Sequence, residues 1–131
     1  MPSRKLLVAL LLAGALLTAC NSHDESFFIS KQWQGWSLRL ETRPHPVQAG
    51  HNEFLLHVVS PDRHLPRGMI VQYRMTPGDE WIQAMPDGLS DIFRRALTVK
   101  DPAHAKLYVH LKYRNAEGDV VFDLSARGAG S

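Results

Sequence analysis

The chain has 131 residues, 44% of them apolar, with 15 Lys+Arg against 13 Asp+Glu, which is room for one domain with its own core and argues against wholesale disorder. Two of the cations, Arg4 and Lys5, precede a long apolar run; without residues 1–19 the remaining 112 residues carry 15 − 2 = 13 basic and 13 acidic side chains, so no net basic charge is left to attract nucleic acid. The single cysteine, Cys20, excludes an intrachain disulfide framework and any multi-cysteine metal site.

Residues 1–5 are a short basic segment, and residues 6–17 are Leu, Val and Ala interrupted only by Gly14. About a dozen apolar residues fall short of the ~20 that cross a bilayer and match the core of a signal peptide, a helix over residues 1–19. The run ends Leu17-Thr18-Ala19-Cys20. This stretch resembles the lipobox of bacterial lipoproteins, with small residues before the cysteine and Leu17 three positions ahead of it. The resemblance implies a diacylglycerol thioether on Cys20, cleavage before it and acylation of the new amino terminus. Cys20 is then the lipid-attachment residue, and the membrane is a partner through that lipid. Three acyl chains bury far more CH₂ than the single chain that binds membranes only marginally. An acylated Cys20 is also lost as a thiolate or metal ligand. Asn21 follows it, where an Asp would mark inner-membrane retention in enterobacteria, so the resemblance points to the outer membrane, facing the periplasm. The alternative is an ordinary signal peptide or uncleaved anchor with a chance cysteine.

Residues 20–31 are largely polar and read as a lipidated tether, although Phe27, Phe28 and Ile29 are able to dock on a fold. Beyond them, period-2 alternation predicts about seven strands, over 36–41, 54–59, 69–75, 81–85, 92–99, 107–113 and 120–124. Arg95 breaks the alternation of the fifth. The punctuation is chemical. Thr76-Pro77-Gly78-Asp79 and Pro86-Asp87-Gly88 are turns, because Pro presets φ and Gly accepts positive φ, and Asn115-Ala116-Glu117-Gly118 reads as a hairpin loop. Outside the signal helix only 89–96 has a helical pattern. The prediction is an all-β chain: an immunoglobulin-like antiparallel β-sandwich over 32–125, then a tail of small residues, 126–131. A small closed barrel is the rival. Residues 101–108 resemble the approach to the tyrosine corner of such sandwiches.

Metal sites need two or three ligands converging on one point. Seven histidines are present, at 23, 45, 51, 57, 64, 104 and 110, with no His-x-His or HExxH spacing. His57 and His110 both fall on predicted strands and would face each other if those strands were neighbours; otherwise they are solvated side chains. Met69, Met75 and Met85 suggest a soft copper site, but Met69 and Met75 share the inward parity of Val71 and Tyr73, leaving only Met85 exposed. No GxSxG elbow, Ser–His–Asp context or Gly-rich phosphate loop occurs. Arg94-Arg95 beside Asp91 is a candidate anion site, or plain surface charge. Of the tryptophans, Trp36 reads as core, Trp33 as the exposed ring, and Trp81 as a second candidate anchor.

Ala49-Gly50-His51-Asn52-Glu53-Phe54, the loop to Gly68 and the strand ending at Met75 are similar to the start of the YtkA-like and FixH-like β-sandwich proteins, which share a Gly-x-Asn-x-Phe pattern. That resemblance spans about residues 36–113 and implies a membrane-tethered sandwich linked to cytochrome oxidase and copper handling. No Met-Pro-x-Met element follows Met75, so it assigns no ligands here. The expected function is a lipid-anchored periplasmic lipoprotein with a non-catalytic binding or envelope-accessory role. Its partner would be an envelope protein, with no cofactor, catalytic residue or metal ligand. Contact would run through the loops 45–52, 61–68 and 77–88 if they cluster. The alternatives are a periplasmic copper or other metal-binding chaperone, and an envelope hydrolase.

Overall fold

The computed structural model describes residues 28–125; the expected signal helix, Cys20, the first part of the expected tether and the expected tail lie outside the described residues. Within them the chain forms β1 (Phe28–Trp33), β2 (Trp36–Arg43), β3 (Gly50–Val59), β4 (Ile70–Arg74), β5 (Ile82–Gln83), β6 (Met85–Pro86), β7 (Ile92–Val99), β8 (Lys106–Tyr113) and β9 (Ala116–Asp123), with one 3-10 turn at Pro102–His104. Two antiparallel sheets result, in the orders β1-β2-β3-β7-β6 and β5-β4-β8-β9. This is the expected β-sandwich. With β1 set aside, β2-β3-β7-β6 against β5-β4-β8-β9 reproduces the A-B-E-D and C′-C-F-G strand orders of the immunoglobulin arrangement.

The alternation that predicts the strands also builds the core. Trp36, Leu38 and Leu40 from β2, Phe54, Leu56 and Val58 from β3, Val71 and Tyr73 from β4, and Leu107, Val109 and Leu111 from β8 are all buried between the sheets. The Tyr73 hydroxyl, buried there, donates to Phe93 O on the facing sheet at 2.8 Å. Burial pushes its pKa well above the usual phenol range. This tyrosine on β4 makes the inter-sheet bond, and Tyr108, to which the tyrosine-corner resemblance leads, lies half-buried on the outer side of β8.

Four expectations need correction. Residues 28–31, assigned to the tether, are the first part of β1, paired with β2 from Phe28↔Glu41 to Trp33↔Trp36. Polar Ser30, Lys31 and Gln32 hide that strand from a hydrophobic pattern. It is made by the tight turn Gln34-Gly35, whose φ values of 50° and 80° suit a two-residue hairpin. The helical pattern over 89–96 gives way to β7, with Leu89 fully out in solvent at 90% exposure. The single strand expected at 81–85 is split: Ile82–Gln83 pairs with β4 and Met85–Pro86 with β7, the chain crossing between sheets at buried Ala84. The last hairpin turns at Arg114, φ 53°, so Gly118 falls inside the β8–β9 ladder opposite Leu111.

The two sides of the sandwich differ. On the side of β1 and β9, Trp33 packs its indole against the backbone of Gly118. Trp33 is therefore core, 8% exposed, and not the exposed ring expected of it. On the other side the short strands β5 and β6 cover only part of their neighbours.

Candidate functional site

At that second side a groove of about 1030 Å³ opens between β7, the end of β4 and the 3-10 turn. Its floor is apolar, from Met75, Ile82, Leu97, Val99 and Ala105, and its rim carries charge of both signs, with Arg74, Lys100 and Lys106 against Asp79, Glu80 and Asp101. An apolar concavity with a few polar groups at its edge is the usual form of a binding site.

Local chemistry fixes each wall. The turn after β4 is closed by Asp79, whose N–H donates to Thr76 O at 3.2 Å and whose carboxylate accepts from Thr76 N at 3.1 Å. Asp101 caps the 3-10 turn, accepting from Ala103 N at 3.2 Å and holding His104 Nδ1 at 2.8 Å, with Pro102 at the first helical position. His51 stands at the head of β3, where buried Asn52 locks the incoming loop. Its side chain accepts from Gln48 N at 3.0 Å and donates to Gln48 O at 2.7 Å and Gly50 O at 2.9 Å. Gly50 itself has φ +100°, and Phe54 is core. The Gly-x-Asn-x-Phe pattern is thus a loop-to-strand joint, with a separate mechanical task for each residue.

Beside the groove, on the outer face of the β4–β8–β9 sheet, Arg74 stacks on Trp81 at 4.0 Å from the ring centroid. Its Nε is buried with no hydrogen-bond partner. The Trp81 ring lies 5.4 Å from that of His110. His110 bridges two carboxylates, with Nδ1 bonded to Asp119 and Nε2 at 2.8 Å from Glu117. The Asp119 bond, followed by that to Glu117, lifts the His110 pKa above 6.5 against the opposing effect of burial. Trp81 is half-exposed, as an anchor requires.

The other candidates are dispersed. His57 and His110 lie in different sheets and do not meet: His57 pairs with Glu41 at 3.3 Å, edge-on to Phe28. Among the described residues no group of three His, Cys, Asp or Glu side chains is placed to hold a metal ion. Met69 is buried, as its parity predicts; Met75, of the same parity, is only half-buried because it lies past the end of β4 on the groove floor; and Met85 is exposed, as expected. Arg94 is paired with Glu53 and with Asp87 at 3.2 Å, and not with Asp91, so it is no free anion site. These bonds raise its pKa, the Glu53 hydrogen bond most.

One cluster escaped the sequence reading. Ser60 Oγ donates to Asp62 Oδ1 at 2.8 Å and lies 3.1 Å from His64 Nδ1, which is itself 2.5 Å from Asp62 Oδ1. A hydrolytic triad sets the serine and the carboxylate on opposite ring nitrogens. Here both crowd Nδ1, Ser60 is buried, and its hydroxyl also accepts from His64 N at 2.9 Å. The three residues staple a loop, and the Ser-x-Asp-x-His spacing around Pro61 was the signal for it. The hydrogen bond from Ser60, more than that from His64, lowers the Asp62 pKa.

The candidate loops do not form one cluster. Of loop 45–52 only His51 lines the groove, together with Pro77, Asp79 and Glu80 from 77–88, whereas 65–69 with Pro86, Gly88, Leu89 and Ser90 line a smaller cleft of about 120 Å³. The groove also uses residues that the sequence did not single out, chiefly 96–100 of β7 and its continuation. Comparison with protein-family models, curated proteins and solved structures finds no match. Among the described residues no helix is long and apolar enough to cross a membrane.

Proposed function

We propose that this chain is a lipid-anchored protein of the bacterial cell envelope that acts by binding, with the groove beside β7 as its contact site. The groove carries the reading: an apolar floor, a polar rim and the Arg74–Trp81 stack lie on one side of a stable sandwich. Trp, Tyr and Arg are the residues that dominate binding energy at interfaces, and Arg74, Trp81 and Tyr108 are gathered here. The lipobox-like sequence supports the anchor. Seven residues separate Cys20 from Phe28, so an extended tether would keep the start of β1 within roughly 30 Å of the lipid.

Labelling cells with radioactive palmitate tests the anchor. The wild-type chain takes up label and sediments with membranes, whereas Cys20→Ser does neither. Unlabelled wild-type protein would overturn this part of the reading. A photo-crosslinker placed at Lys100 tests the groove and should give a discrete protein adduct in cells.

A further inference from the structure

The wall of the groove formed by β7 is an unpaired strand edge. In an antiparallel ladder, residues bonded to one neighbour alternate with residues bonded to the other. Val58 N donates to Asp91 O at 2.9 Å, which places Asp91, Phe93, Arg95, Leu97 and Val99 on the β3 side. Asp87 N donates to Ile92 O at 2.8 Å, which places Ile92, Arg94, Ala96 and Thr98 on the β6 side. The incoming chain serves Ile92 through Asp87 and Arg94 through Met85. It then leaves for the other sheet at Ala84, whose N–H goes to Val71 O at 2.8 Å. Ala96 and Thr98 are left with their N–H and C=O groups turned into the groove and no partner for them among the described residues.

An exposed row of unpaired N–H and C=O groups of this kind is a ready template for pairing with another chain. Most strand edges are blunted by charge, bulges or covering side chains. The β9 edge follows that rule, with Glu117, Asp119 and Asp123 along it and Trp33 over Gly118. The β7 edge does the opposite. Its edge residues, Ala96 and Thr98, are small and exposed, and an apolar floor lies beside them. Exposed Arg95 and Lys100 bracket the segment, and neither forms an ion pair among the described residues.

We infer that the groove receives an extended, acidic segment of a partner protein, which adds as a strand antiparallel to β7 along residues 96–99. It would occupy the line that β6 vacates. Two N–H and two C=O groups give the main-chain recognition, alternate side chains enter the apolar floor, and carboxylates face Arg95 and Lys100. This rests on the reading of the groove as a binding site and names the occupant.

The test uses the full chain in detergent and a fluorescent peptide, acetyl-Glu-Ala-Glu-Val-Glu-Ala-Glu-Val-amide, with anisotropy as readout. The peptide should bind saturably, and its Lys-for-Glu counterpart at least about tenfold more weakly. Ala96→Pro removes an edge N–H that the β3 ladder does not use, a position where a strand tolerates proline. It should weaken binding at least about tenfold while the thermal transition persists. Should that variant fail to fold, the wild type decides the matter. N-methylating the peptide backbone at one set of alternate residues should abolish binding, and at the other set should spare it. No saturable binding below about 1 mM, or binding indifferent to Ala96→Pro and to both methylation patterns, overturns strand addition. If adducts still form from Lys100 in cells, the binding role survives that failure; if they vanish too, both readings fall. A dimer of this chain that Ala96→Pro dissolves would assign the edge to a second copy and overturn the partner proposed here.

Discussion

Replacing Gly118 by alanine tests how the β1–β9 side of the sandwich is closed. A Cβ at this position would stand 2.8 Å from Trp33 Nε1 and 3.7 Å from both Cδ1 and Cε2. Non-bonded heavy atoms settle at about 3.5–4.0 Å, so the indole must retreat by roughly 0.7–1.2 Å. The ring is rigid and already packed in the core, opposite Trp36 across the β1–β2 hairpin. Overpacking of this kind costs about 1–3 kcal/mol, and stiffening the unfolded chain returns about 0.4–1 kcal/mol. The net expectation is a loss of about 1–2 kcal/mol. In urea, with a slope of roughly 1–1.5 kcal/mol per molar, the midpoint should fall by about 1 M, read by tryptophan fluorescence. Trp33→Leu makes room for the methyl group, so in that background Gly118→Ala should cost at least about 1 kcal/mol less. A midpoint within about 0.3 M of wild type, or full additivity of the two substitutions, would refute this packing.

Three other contacts give further expected outcomes. Asn52→Ala leaves the loop groups of Gln48 and Gly50 without their buried partner, and should cost about 2–3 kcal/mol in urea unfolding. Tyr73→Phe removes the inter-sheet bond to Phe93 O, and should cost about 1 kcal/mol with no change in circular dichroism. His110 binds its proton more tightly folded than unfolded, since Asp119 and Glu117 raise its pKa above 6.5. Its contribution to stability is therefore complete below that ordinary value and is lost as pH rises through the raised one. The stability gap between wild type and His110→Gln should be larger at pH 6 than at pH 8; an equal gap at both would contradict the pairing.

The architecture was legible wherever one face of a strand is apolar. Leu107, Val109 and Leu111 announce β8, and Val71 and Tyr73 announce β4. β1 was not legible because its ladder is made by main chain and a Gln34-Gly35 turn, neither of which has a hydrophobic period. The position of Trp33 was misread for the same reason: Gln32 and Gln34 beside it are exposed, but the indole crosses to another strand, at Gly118. Arg95 looked like a flaw in a strand pattern. In the fold it lies just past the β6 pairing, where the edge of β7 becomes free. The groove depends on where the chain crosses at Ala84, and a crossing between sheets is a property of tertiary packing that no local spacing encodes.

The most direct measurement is photo-crosslinking in cells from Lys100 at the mouth of the groove, with Lys31 on the exposed side of β1 as control. A binding role at the groove predicts one discrete adduct from Lys100, absent from Lys31; strand addition predicts in addition that changing Ala96 to proline abolishes that adduct. No adduct from Lys100, or the same adducts from both positions, would contradict the assignment of the groove as the binding site.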